Sequence, residues 1–439
     1  MTAASPQYDV VIVGGRPSGS ALAARLGARG HSVLVVDRAT FPSLPGVPSS
    51  PTVHPGAMRL LDELGIAESS YADPTARQDF FVVEFHTFFS AVMKVPRMHG
   101  RDYAYGIDRR QFDTLLWKHL DRFPSVSRRE GFPITGVLRD AAGRVTGVVG
   151  GPRGAEERIT ARCVVGADGR WSRVAREVGA EVVEEDAVHV STVHYADWKG
   201  LPPVRPGIQG AHIYTTGRGV DVLLLPMPGG LVSVNTHVRA DRVDGRKDPK
   251  AHYLEVLRSL PGVARRLAGA EQVSPLSGIK RIGNGYRKGS GPGWALVGDA
   301  LHFKDPVDAQ GIYDALIEAK LLDEALAGWL VGTQGWDEAM ATYARRVAEE
   351  THGMFLMTVG RLRREVYEEP PVPVIRTLIR WMMTDPEYQE RFLKLLGRAI
   401  PAEGAITPGL MARAVLRGMG RDLRGLLTPR PSQPLAPGA

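Results

Sequence analysis

The sequence contains one cysteine, Cys163, among its 439 residues. A single cysteine excludes an internal disulfide framework and any cysteine-rich metal site, and such scarcity is typical of proteins from reducing compartments. Because Cys163 lies in an apolar, strand-like stretch, we expect it to be an inert core residue and not a nucleophile. No other pattern in the sequence indicates a metal site.

Long hydrophobic runs are also absent. No stretch reaches the roughly 18 to 20 uninterrupted apolar residues that a membrane-spanning helix needs, and residues 1–9 have neither the basic nor the apolar region of a secretion signal. Of the 55 basic residues only 10 are lysine, and the 45 arginines are spread along the chain without basic runs. We therefore expect a cytoplasmic enzyme that attracts anionic cofactors and has no nucleic-acid or membrane partner.

The first forty residues follow a pattern of strand, turn, helix and strand. Residues 8–13 form a β-branched run that ends at Gly14 and Gly15, a helix-like stretch continues to Gly30, and residues 32–36 are a second buried strand. This βαβ unit requires a parallel sheet. The chain as a whole is long enough for two packed domains.

The pattern changes several times after this unit. Residues 44–55 are rich in proline and predict a stiff, irregular connection. Residues 80–95 and 188–238 alternate between apolar and polar side chains, which predicts an antiparallel sheet inserted into the first fold. A buried strand at residues 294–297 leads into a predicted helix at residues 311–330.

The first motif lies in the turn after the first strand and comprises Gly14, Gly15, Arg16, Pro17, Ser18 and Gly19. Gly14 permits a tight turn, the helix start holds a pyrophosphate with its amides and dipole, and Gly19 allows close packing of helix on strand. Asp37, eighteen residues after Gly19, is placed to accept hydrogen bonds from ribose hydroxyls. Arg16 stands where this fingerprint usually has glycine, and its guanidinium is a candidate partner for a phosphate.

Two further motifs place an aspartate directly after a buried strand. Asp168 lies in residues 164–173, and Asp299 lies in a motif that spans residues 298–315. Ligands bind at this end of the strands in a parallel sheet. A nicotinamide dehydrogenase needs only the first motif, whereas FAD also carries a ribityl chain and a ring system that would engage a further acidic residue. Aspartates in such positions also serve as helix caps or turn residues without a ligand, and that alternative stays open.

These three motifs, in this order over residues 8–330, resemble the class A flavoprotein monooxygenases related to para-hydroxybenzoate hydroxylase and the geranylgeranyl-reductase-like flavoproteins. The resemblance implies non-covalently bound FAD, with NAD(P)H as co-substrate. It also implies that Asp37 binds the adenosine ribose and that Asp299 binds the ribityl chain. Asp168 and Gly169 resemble the site where the dinucleotide phosphate and the pyridine nucleotide meet.

The same resemblance implies roles for four further residues. Pro306 resembles the proline that lies against the flavin, and Arg109 resembles the helix-start arginine that helps to seat FAD. Gly311 and Ile312 would offer backbone amides to flavin N1 and O2, where negative charge collects upon reduction. Ala309 stands where the family usually has glycine, a second departure besides Arg16. The predicted cofactor-binding residues are Gly14, Gly15, Arg16, Pro17, Ser18, Gly19, Asp37, Arg38, Arg109, Asp168, Asp299, Pro306, Gly311 and Ile312.

The implied fold is α/β, with a Rossmann-like FAD-binding domain, an inserted antiparallel β-sheet substrate domain and a helical C-terminal region. The FAD-binding domain is predicted to be discontinuous, and the helical pattern runs from Trp336 to Leu427. We assign residues 1–78, 101–187 and 275–330 to the FAD-binding domain, residues 79–100 and 188–274 to the substrate domain, residues 331–427 to the helical region, and residues 428–439 to a disordered tail.

The function that the resemblance favours is monooxygenation. NAD(P)H reduces FAD, dioxygen reacts with the reduced flavin, and one oxygen atom hydroxylates or epoxidises a small aromatic or polyketide-like substrate. One alternative is an FAD-dependent reductase or dehydrogenase of the geranylgeranyl reductase type. Another, of a different class, is a flavin-binding protein without turnover. No catalytic side chain is assigned, and a homodimer is compatible with the sequence.

Several other residues admit two interpretations. His54 and His302 either approach the flavin or are ordinary hydrogen-bonding residues. Tyr214 and residues 223–225 either line a substrate cavity or pack in the core. Trp198 begins a stretch that invites comparison with the WxWxIP signature of flavin-dependent halogenases, but the second tryptophan is missing and the halogenase interpretation is poor.

An amphipathic helix is predicted near the C-terminus. Its apolar side consists of Met411, Val415, Met419 and Leu423, and its basic side consists of Arg413, Arg417, Arg421 and Arg424. We expect the apolar side to cover the body of the enzyme and the arginines to face solvent. The alternative is that this helix rests on anionic lipid.

Overall fold

The computed structural model describes residues 6–47, 49–85, 88–368 and 373–427. The tail predicted at residues 428–439 lies outside the described residues. The predicted α/β fold is confirmed, with a mostly parallel sheet, a mostly antiparallel sheet and a helical C-terminal region.

The strands of the described chain are numbered in sequence order. They are β1 (Tyr8–Val13), β2 (Val33–Val36), β3 (Thr52–Val53), β4 (Arg77–Gln78), β5 (Phe80–Phe85), β6 (Phe89–Lys94), β7 (Ala104–Gly106), β8 (Val126–Arg129), β9 (Ile134–Arg139), β10 (Val145–Gly150), β11 (Glu157–Gly166), β12 (Val182–Lys199), β13 (Gly210–Thr215), β14 (Val220–Met227), β15 (Leu231–Arg239), β16 (Glu271–Gln272), β17 (Ser277–Arg287), β18 (Ser290–Gly291), β19 (Trp294–Leu296) and β20 (His302–Phe303).

The α-helices are numbered in the same way. They are α1 (Pro17–Ala28), α2 (Pro55–Glu63), α3 (Arg109–His119), α4 (Arg173–Val178), α5 (Pro249–Ser259), α6 (Pro261–Leu267), α7 (Gly311–Leu330), α8 (Trp336–Leu362), α9 (Pro373–Met383), α10 (Pro386–Leu396) and α11 (Pro408–Leu427). A π-helical turn, Arg363–Tyr367, follows α8 directly.

The first sheet is built around β1 and has the strand order β18-β19-β11-β1-β2-β8. β1 pairs in parallel with β2 and β11, as the βαβ pattern predicts. Val10, Val11 and Ile12 are completely buried, which is typical of a parallel strand that is covered on both faces. Helices α1 and α7 pack against each other, and their apolar side chains join those of β1 and β2 in the largest core cluster.

The second sheet has the strand order β20-β17-β12-β15-β14-β13-β5-β6. Its neighbouring strands are antiparallel except β13 and β5, which are parallel because a long connection returns the chain to the same end of the sheet. The predicted antiparallel sheet therefore contains one parallel pair. Strands β17 and β20 fall within residues 275–330, the segment predicted for the FAD-binding domain, yet they pair in this second sheet.

The C-terminal helices close one side of the molecule. The end of α10 reaches the start of α7, where Gln310 donates a hydrogen bond through Nε2 to the carbonyl oxygen of Leu396 at 3.0 Å. Arg398 pairs with Asp314 at 2.8 Å. These contacts bring residues from the far end of the chain to the helix start that the third motif predicts for the flavin.

The prediction for the last helix is wrong in part. Arg413, Arg417 and Arg424 are exposed, as predicted, but the predicted apolar side does not as a whole cover the body of the enzyme. α11 packs through its small residues, because Ala414 is fully buried and a Cβ on Gly418 would lie 2.3 Å from Trp381 of α9. Arg417 faces α10 and bonds the carboxylates of Asp385 and Glu387. Of the predicted apolar side, Met419 and Leu423 are exposed, whereas Met411 and Val415 are half-buried. The close packing of α11 on α9 and the ion pairs with the acidic start of α10 determine the orientation of α11 more than the burial of its larger apolar side chains does.

Cys163 lies on β11 and is completely buried. Burial raises the pKa of its thiol to about 12, so the thiol stays protonated, as expected of an inert core residue. No helix within the described ranges is both long and apolar enough to cross a membrane. The part of the chain that the structure describes also contains no group of three or more His, Cys, Asp or Glu residues arranged to hold a metal ion.

Candidate active site

A cavity of about 570 Å³ opens where β1, β2 and β11 end, which we call the cofactor cavity. Its volume is in the range of cofactor pockets, and its wall combines residues from all three sequence motifs. Every predicted cofactor-binding residue lines it except Gly15 and Gly19. The three motifs, which are far apart in the sequence, therefore meet at one site.

The turn after β1 requires glycine for steric reasons. Gly14 has a φ of 107°, a conformation that L-residues with side chains rarely adopt. A Cβ on Gly19 would lie 1.8 Å from the carbonyl oxygen of Gly14, and a Cβ on Gly15 would lie 2.2 Å from the ring of Trp117. The turn is therefore tight, and it presents the start of α1 to the cavity, the geometry that binds a pyrophosphate.

Asp37 is fixed against the cavity wall by backbone donors. Its Oδ2 accepts a hydrogen bond from the amide of Gly15 at 2.8 Å, and its Oδ1 accepts one from the amide of Ala39 at 2.8 Å. Each carboxylate oxygen keeps a lone pair for a ribose hydroxyl. Arg38 is exposed beside it on the cavity wall.

The Arg16 guanidinium, the candidate partner for a phosphate, makes contacts within the protein. It pairs with the fully buried carboxylate of Asp113 at 2.6 Å and also bonds Ser43 and Leu44. Arg109 binds the same carboxylate with two nitrogens, at 3.0 and 3.1 Å. One buried carboxylate therefore holds both arginines, and the Arg16 side chain braces the connection after β2.

Asp168 has the contacts of a helix cap. Its carboxylate accepts hydrogen bonds from the Ser172 hydroxyl and from the amides of Arg173 and Val174 in the first turn of α4. Burial raises the pKa of this carboxyl. These bonds fit the alternative in which Asp168 is a helix-capping residue, although Asp168 and Gly169 both line the cofactor cavity.

Asp299 has no such local engagement. It is partly exposed on the cavity wall, and its carboxylate has no hydrogen-bond partner among the described residues. The loop that carries it is held by Arg287, which donates to the carbonyl oxygens of Asp299, Ala300 and Arg170. Arg170 in turn donates to the carbonyl oxygen of Lys304 at 2.7 Å. Two arginines thus join the second and third motifs, and the Asp299 carboxylate remains available to a ligand.

The start of α7 faces the same cavity. Gly311 and Ile312 are its first two residues, and both line the cavity. Ala309, just before them, has φ 56° and ψ 33°, the left-handed region in which a residue with a Cβ pays about 1 to 2 kcal/mol. This geometry explains why the family usually has glycine at that position. Pro306 lies on the wall one short turn earlier.

A buried ion cluster lies below the start of α7. Asp314 contacts Lys304 at 2.6 Å and Arg398 at 2.8 Å, and all three side chains are less than a tenth exposed. Burial raises the pKa of Asp314, but the charges of Lys304 and Arg398 outweigh burial and lower it to about 2. The two cations therefore compensate the negative charge of this carboxylate at the cofactor cavity.

A second, smaller cavity adjoins the first, and we call it the apolar chamber. Its wall shares Ser50 and Ala309 with the cofactor cavity, and its volume is about 40 Å³. The second sheet and α10 supply about half of its apolar side chains. The apolar side chains are Pro55, Phe81, Val95, Met98, Ala104, Ile213, Leu223, Leu225, Val307, Ala309, Leu393 and Leu396. The polar side chains are Ser50, Thr52, His54, Asp308 and Arg361.

The residues for which the sequence left two interpretations, cavity wall or core, lie in different places in the structure. Leu223 and Leu225 line the apolar chamber, whereas Tyr214 and Leu224 belong to a core cluster on the other face of the sheet. Trp198 also lies in that cluster and donates a hydrogen bond to Tyr253 at 2.9 Å, away from both cavities.

The two histidines also differ in their surroundings. His302 lines the cofactor cavity and contacts Glu318 through Nδ1 at 2.6 Å. Its ring also stacks on Tyr286, with 4.6 Å between the ring centroids. His54 lines the apolar chamber instead. His302 is therefore hydrogen-bonded through Nδ1 while its buried Nε2 has no hydrogen-bond partner among the described residues, and His54 is the histidine in the wall of the apolar chamber.

Sequence reasoning missed Asp113, Asp314 and Arg398. The sequence could have indicated the role of Asp113, because it lies four residues after Arg109 on the same helix, the spacing of an ion pair. It also directly follows the buried Phe112, and a buried acidic residue needs a partner. Asp314 lay inside the third motif without an assigned role. Arg398 carried no signal, because its pairing with Asp314 joins residues that are 84 positions apart.

The FAD binding domain family matches residues 7–353 of this chain. The chain belongs to this family. FAD is therefore its cofactor, and the protein is a flavoprotein oxidoreductase. The residues that bind FAD remain a prediction, which the geometry of the cofactor cavity supports.

Curated relatives and solved structures differ in the activities that their names give. The chain is 26% identical over 389 residues to the 6-methylpretetramide 4-monooxygenase of Streptomyces rimosus, covering 84% of this chain and 89% of the relative. It is 27% identical over 378 residues to the menaquinone reductase of Mycolicibacterium smegmatis, with 80% and 85% covered. The structure of the flavin-dependent brominase Bmp2 superposes with a TM-score of 0.77 at 20% identity, covering 94% of this chain and 99% of that one, which shows the shared fold.

Replacing Asp299 with alanine is expected to weaken FAD binding at least about tenfold. The ribityl hydroxyls would lose a charged acceptor whose hydrogen bonds contribute about 1.5 to 3 kcal/mol. The dissociation constant is measured by fluorescence titration of the apoprotein with FAD. Asp299→Asn keeps a neutral acceptor, so its dissociation constant for FAD should lie between those of the parent protein and Asp299→Ala. Unchanged FAD affinity in Asp299→Ala would show that this carboxylate does not bind the cofactor.

Proposed function

We propose that this flavoprotein is an NAD(P)H-dependent monooxygenase that hydroxylates or epoxidises a small aromatic or polyketide-like compound. The reaction consumes the substrate, dioxygen, NAD(P)H and a proton, and it yields the oxygenated product, water and NAD(P)⁺. FAD bound in the cofactor cavity supplies the electron transfer and the activation of dioxygen. The substrate domain boundaries and the cofactor-binding residues given above belong to the same proposal.

The observation that carries the proposal is the apolar chamber beside the cofactor cavity. The two spaces meet at Ser50 and Ala309, next to the helix start that we assign to the flavin. Oxygen transfer competes with release of hydrogen peroxide into water, so the reaction benefits from a compartment that excludes water. Leu223 and Leu225 of the second sheet and Leu393 of α10 supply this exclusion.

The start of α7 supports the reductive half of the reaction. The amides of Gly311 and Ile312 belong to the first turn of a 20-residue helix, whose positive dipole end stabilises negative charge on a reduced ligand. Asp314 in the same turn does not oppose this effect, because Lys304 and Arg398 compensate its charge.

A reductase without oxygen transfer is the second candidate, since the relatives include a reductase by name and the cofactor cavity serves both chemistries. A halogenase is less well supported. The brominase likeness concerns the fold, and Trp198 lies in a core cluster without the second tryptophan of the halogenase signature.

Oxygen-18 labelling tests the proposal. Purified holoenzyme is incubated with NAD(P)H and candidate aromatic and polyketide-like substrates under ¹⁸O₂, with a parallel reaction under argon. We expect dioxygen consumption, hydrogen peroxide when the substrate fits poorly, and a product that carries one ¹⁸O atom when it fits. A reduced product without oxygen that forms equally under argon would establish the reductase instead. Absence of NAD(P)H oxidation with every substrate would favour a flavin-binding protein without turnover.

A further inference from the structure

The ring of His54 lies in the wall of the apolar chamber with both nitrogens unpaired. It is 6% exposed, and neither Nδ1 nor Nε2 has a hydrogen-bond partner among the described residues. A buried polar group without a partner costs about 1 to 3 kcal/mol. Such a group therefore calls for an explanation, and a bound ligand provides one.

The backbone around His54 explains its position but gives the side chain no structural task. His54 is the N-cap residue of α2, directly after β3, yet its side chain makes no capping hydrogen bond. The ring lies beside Tyr313, with 5.5 Å between the ring centroids and a tilt of 32°. The ordinary interpretation, a histidine that satisfies a local hydrogen bond, does not describe this residue.

The protonation state of His54 determines what it can bind. Burial, and then the charge of Arg398, lower its pKa to about 3, so the ring is neutral at physiological pH. A neutral imidazole offers one donor and one acceptor. A hydroxyl group, which both donates and accepts, is the simplest partner for either nitrogen.

The rest of the chamber limits the partner further. Its wall is mostly apolar, and two other polar atoms that are unpaired among the described residues belong to wall residues: Oγ of Ser50, where the chamber meets the cofactor cavity, and Oδ2 of Asp308, whose Oδ1 pairs with Arg361. The volume of about 40 Å³ accommodates only a few waters, so an aromatic ring must displace wall side chains. Met98, whose unbranched side chain adapts easily, is part of that wall.

We propose that His54 is the substrate-orienting residue of the chamber, where it hydrogen-bonds a hydroxyl on an otherwise apolar ring compound. This inference rests on the proposed function, because it assigns the apolar chamber to the substrate. Its consequence is selectivity for a hydroxyl-bearing ligand over a methyl isostere, since the isostere leaves the buried imidazole unpaired.

The test compares p-cresol with p-xylene, which differ by a hydroxyl in place of a methyl group. Each is titrated into FAD-loaded protein without NAD(P)H, and binding is followed through the flavin absorbance spectrum and by ligand-detected NMR. We expect the parent protein to bind p-cresol at least about tenfold more tightly than p-xylene. His54→Phe should reduce this ratio to within twofold, and His54→Gln, which retains a donor and an acceptor, should keep part of it.

His194→Phe is the matched control. His194 is 4% exposed and has an unpaired Nδ1, but it lies on β12 outside the chamber wall. This variant should keep the full ratio. Equal binding of both probes by the parent protein, a ratio that survives in His54→Phe, or no binding of either probe up to its solubility limit would each overturn the inference.

The outcome for His54 is separable from the outcome for the reaction. The titration uses neither NAD(P)H nor catalysis, so a preference for p-cresol that depends on His54 would stand even if ¹⁸O labelling showed a reductase. Conversely, the protein could incorporate ¹⁸O into a product and yet bind p-cresol and p-xylene equally well. That result would support the proposed monooxygenase function and would show that His54 does not recognise the substrate.

Discussion

Replacing Gly19 with alanine is expected to abolish retention of FAD and to destabilise the protein by at least about 3 kcal/mol. The added Cβ would lie 1.8 Å from the carbonyl oxygen of Gly14 and 3.2 Å from Cβ of Ala167. Overpacking costs about 1 to 3 kcal/mol where side chains can move, and here the nearest atom is backbone. Helix α1 would have to move away from β1, and the pyrophosphate site between them would open.

The measurements are flavin content per chain after gel filtration and the free energy of unfolding from chemical denaturation. Gly420→Ala is the matched control, because Gly420 also lies inside a helix and an added Cβ there meets nothing within 4 Å. Alanine should stabilise that helix by about 0.5 to 1 kcal/mol. A Gly19→Ala protein that is as yellow and as stable as the parent would refute the steric argument.

Replacing Asp113 with asparagine is expected to cost about 3 to 5 kcal/mol of stability and much of the bound FAD. The buried carboxylate of Asp113 pairs with both Arg16 and Arg109, and removal of its charge leaves two cations facing each other. Breaking a buried pair on one side is strongly destabilising for this reason. Arg109 also bonds Ser49 on the cavity wall, so the cofactor cavity should loosen as well.

Glu63→Gln serves as the control for the charge itself. Glu63 also joins several cations, Arg25, Arg59 and Lys320, but its side chain is 29% exposed. Exposed ion pairs contribute about 1 kcal/mol or less. Denaturation curves and flavin content of the two variants should therefore differ clearly. If Asp113→Asn behaved like Glu63→Gln, the pairing of Arg16 and Arg109 through Asp113 would not be a structural requirement.

Local features of the fold followed from the sequence because short-range patterns determine them. The predicted strand at residues 8–13 and the predicted helix at residues 311–330 have the observed bounds of β1 and α7. Both depend on a buried apolar run that is bounded by glycine. The convergence of the three motifs on one cavity followed from the rule that parallel strands present their carboxyl ends at the same edge.

Long-range features did not follow from such patterns. The parallel pairing of β13 with β5 joins segments about 130 residues apart, as Gly210 opposite Phe80 shows. The pairing of Arg16 with Asp113 spans 97 residues. The orientation of α11 depends on the fit of Gly418 against Trp381, which a count of apolar and basic residues does not capture. In each case the contact that determines the structure joins two segments that are distant in the sequence, and the pattern of either segment alone does not predict it.

The contribution of α10 to the chamber has a consequence for how such proteins diverge. The family match ends at residue 353, and Leu393 and Leu396 of α10, beyond that limit, complete the wall around the candidate substrate. The cofactor cavity is lined by residues between Val13 and Ala315, whereas α10 contributes only to the apolar chamber. Substitutions in α10 can therefore reshape the chamber while every residue of the cofactor cavity is retained.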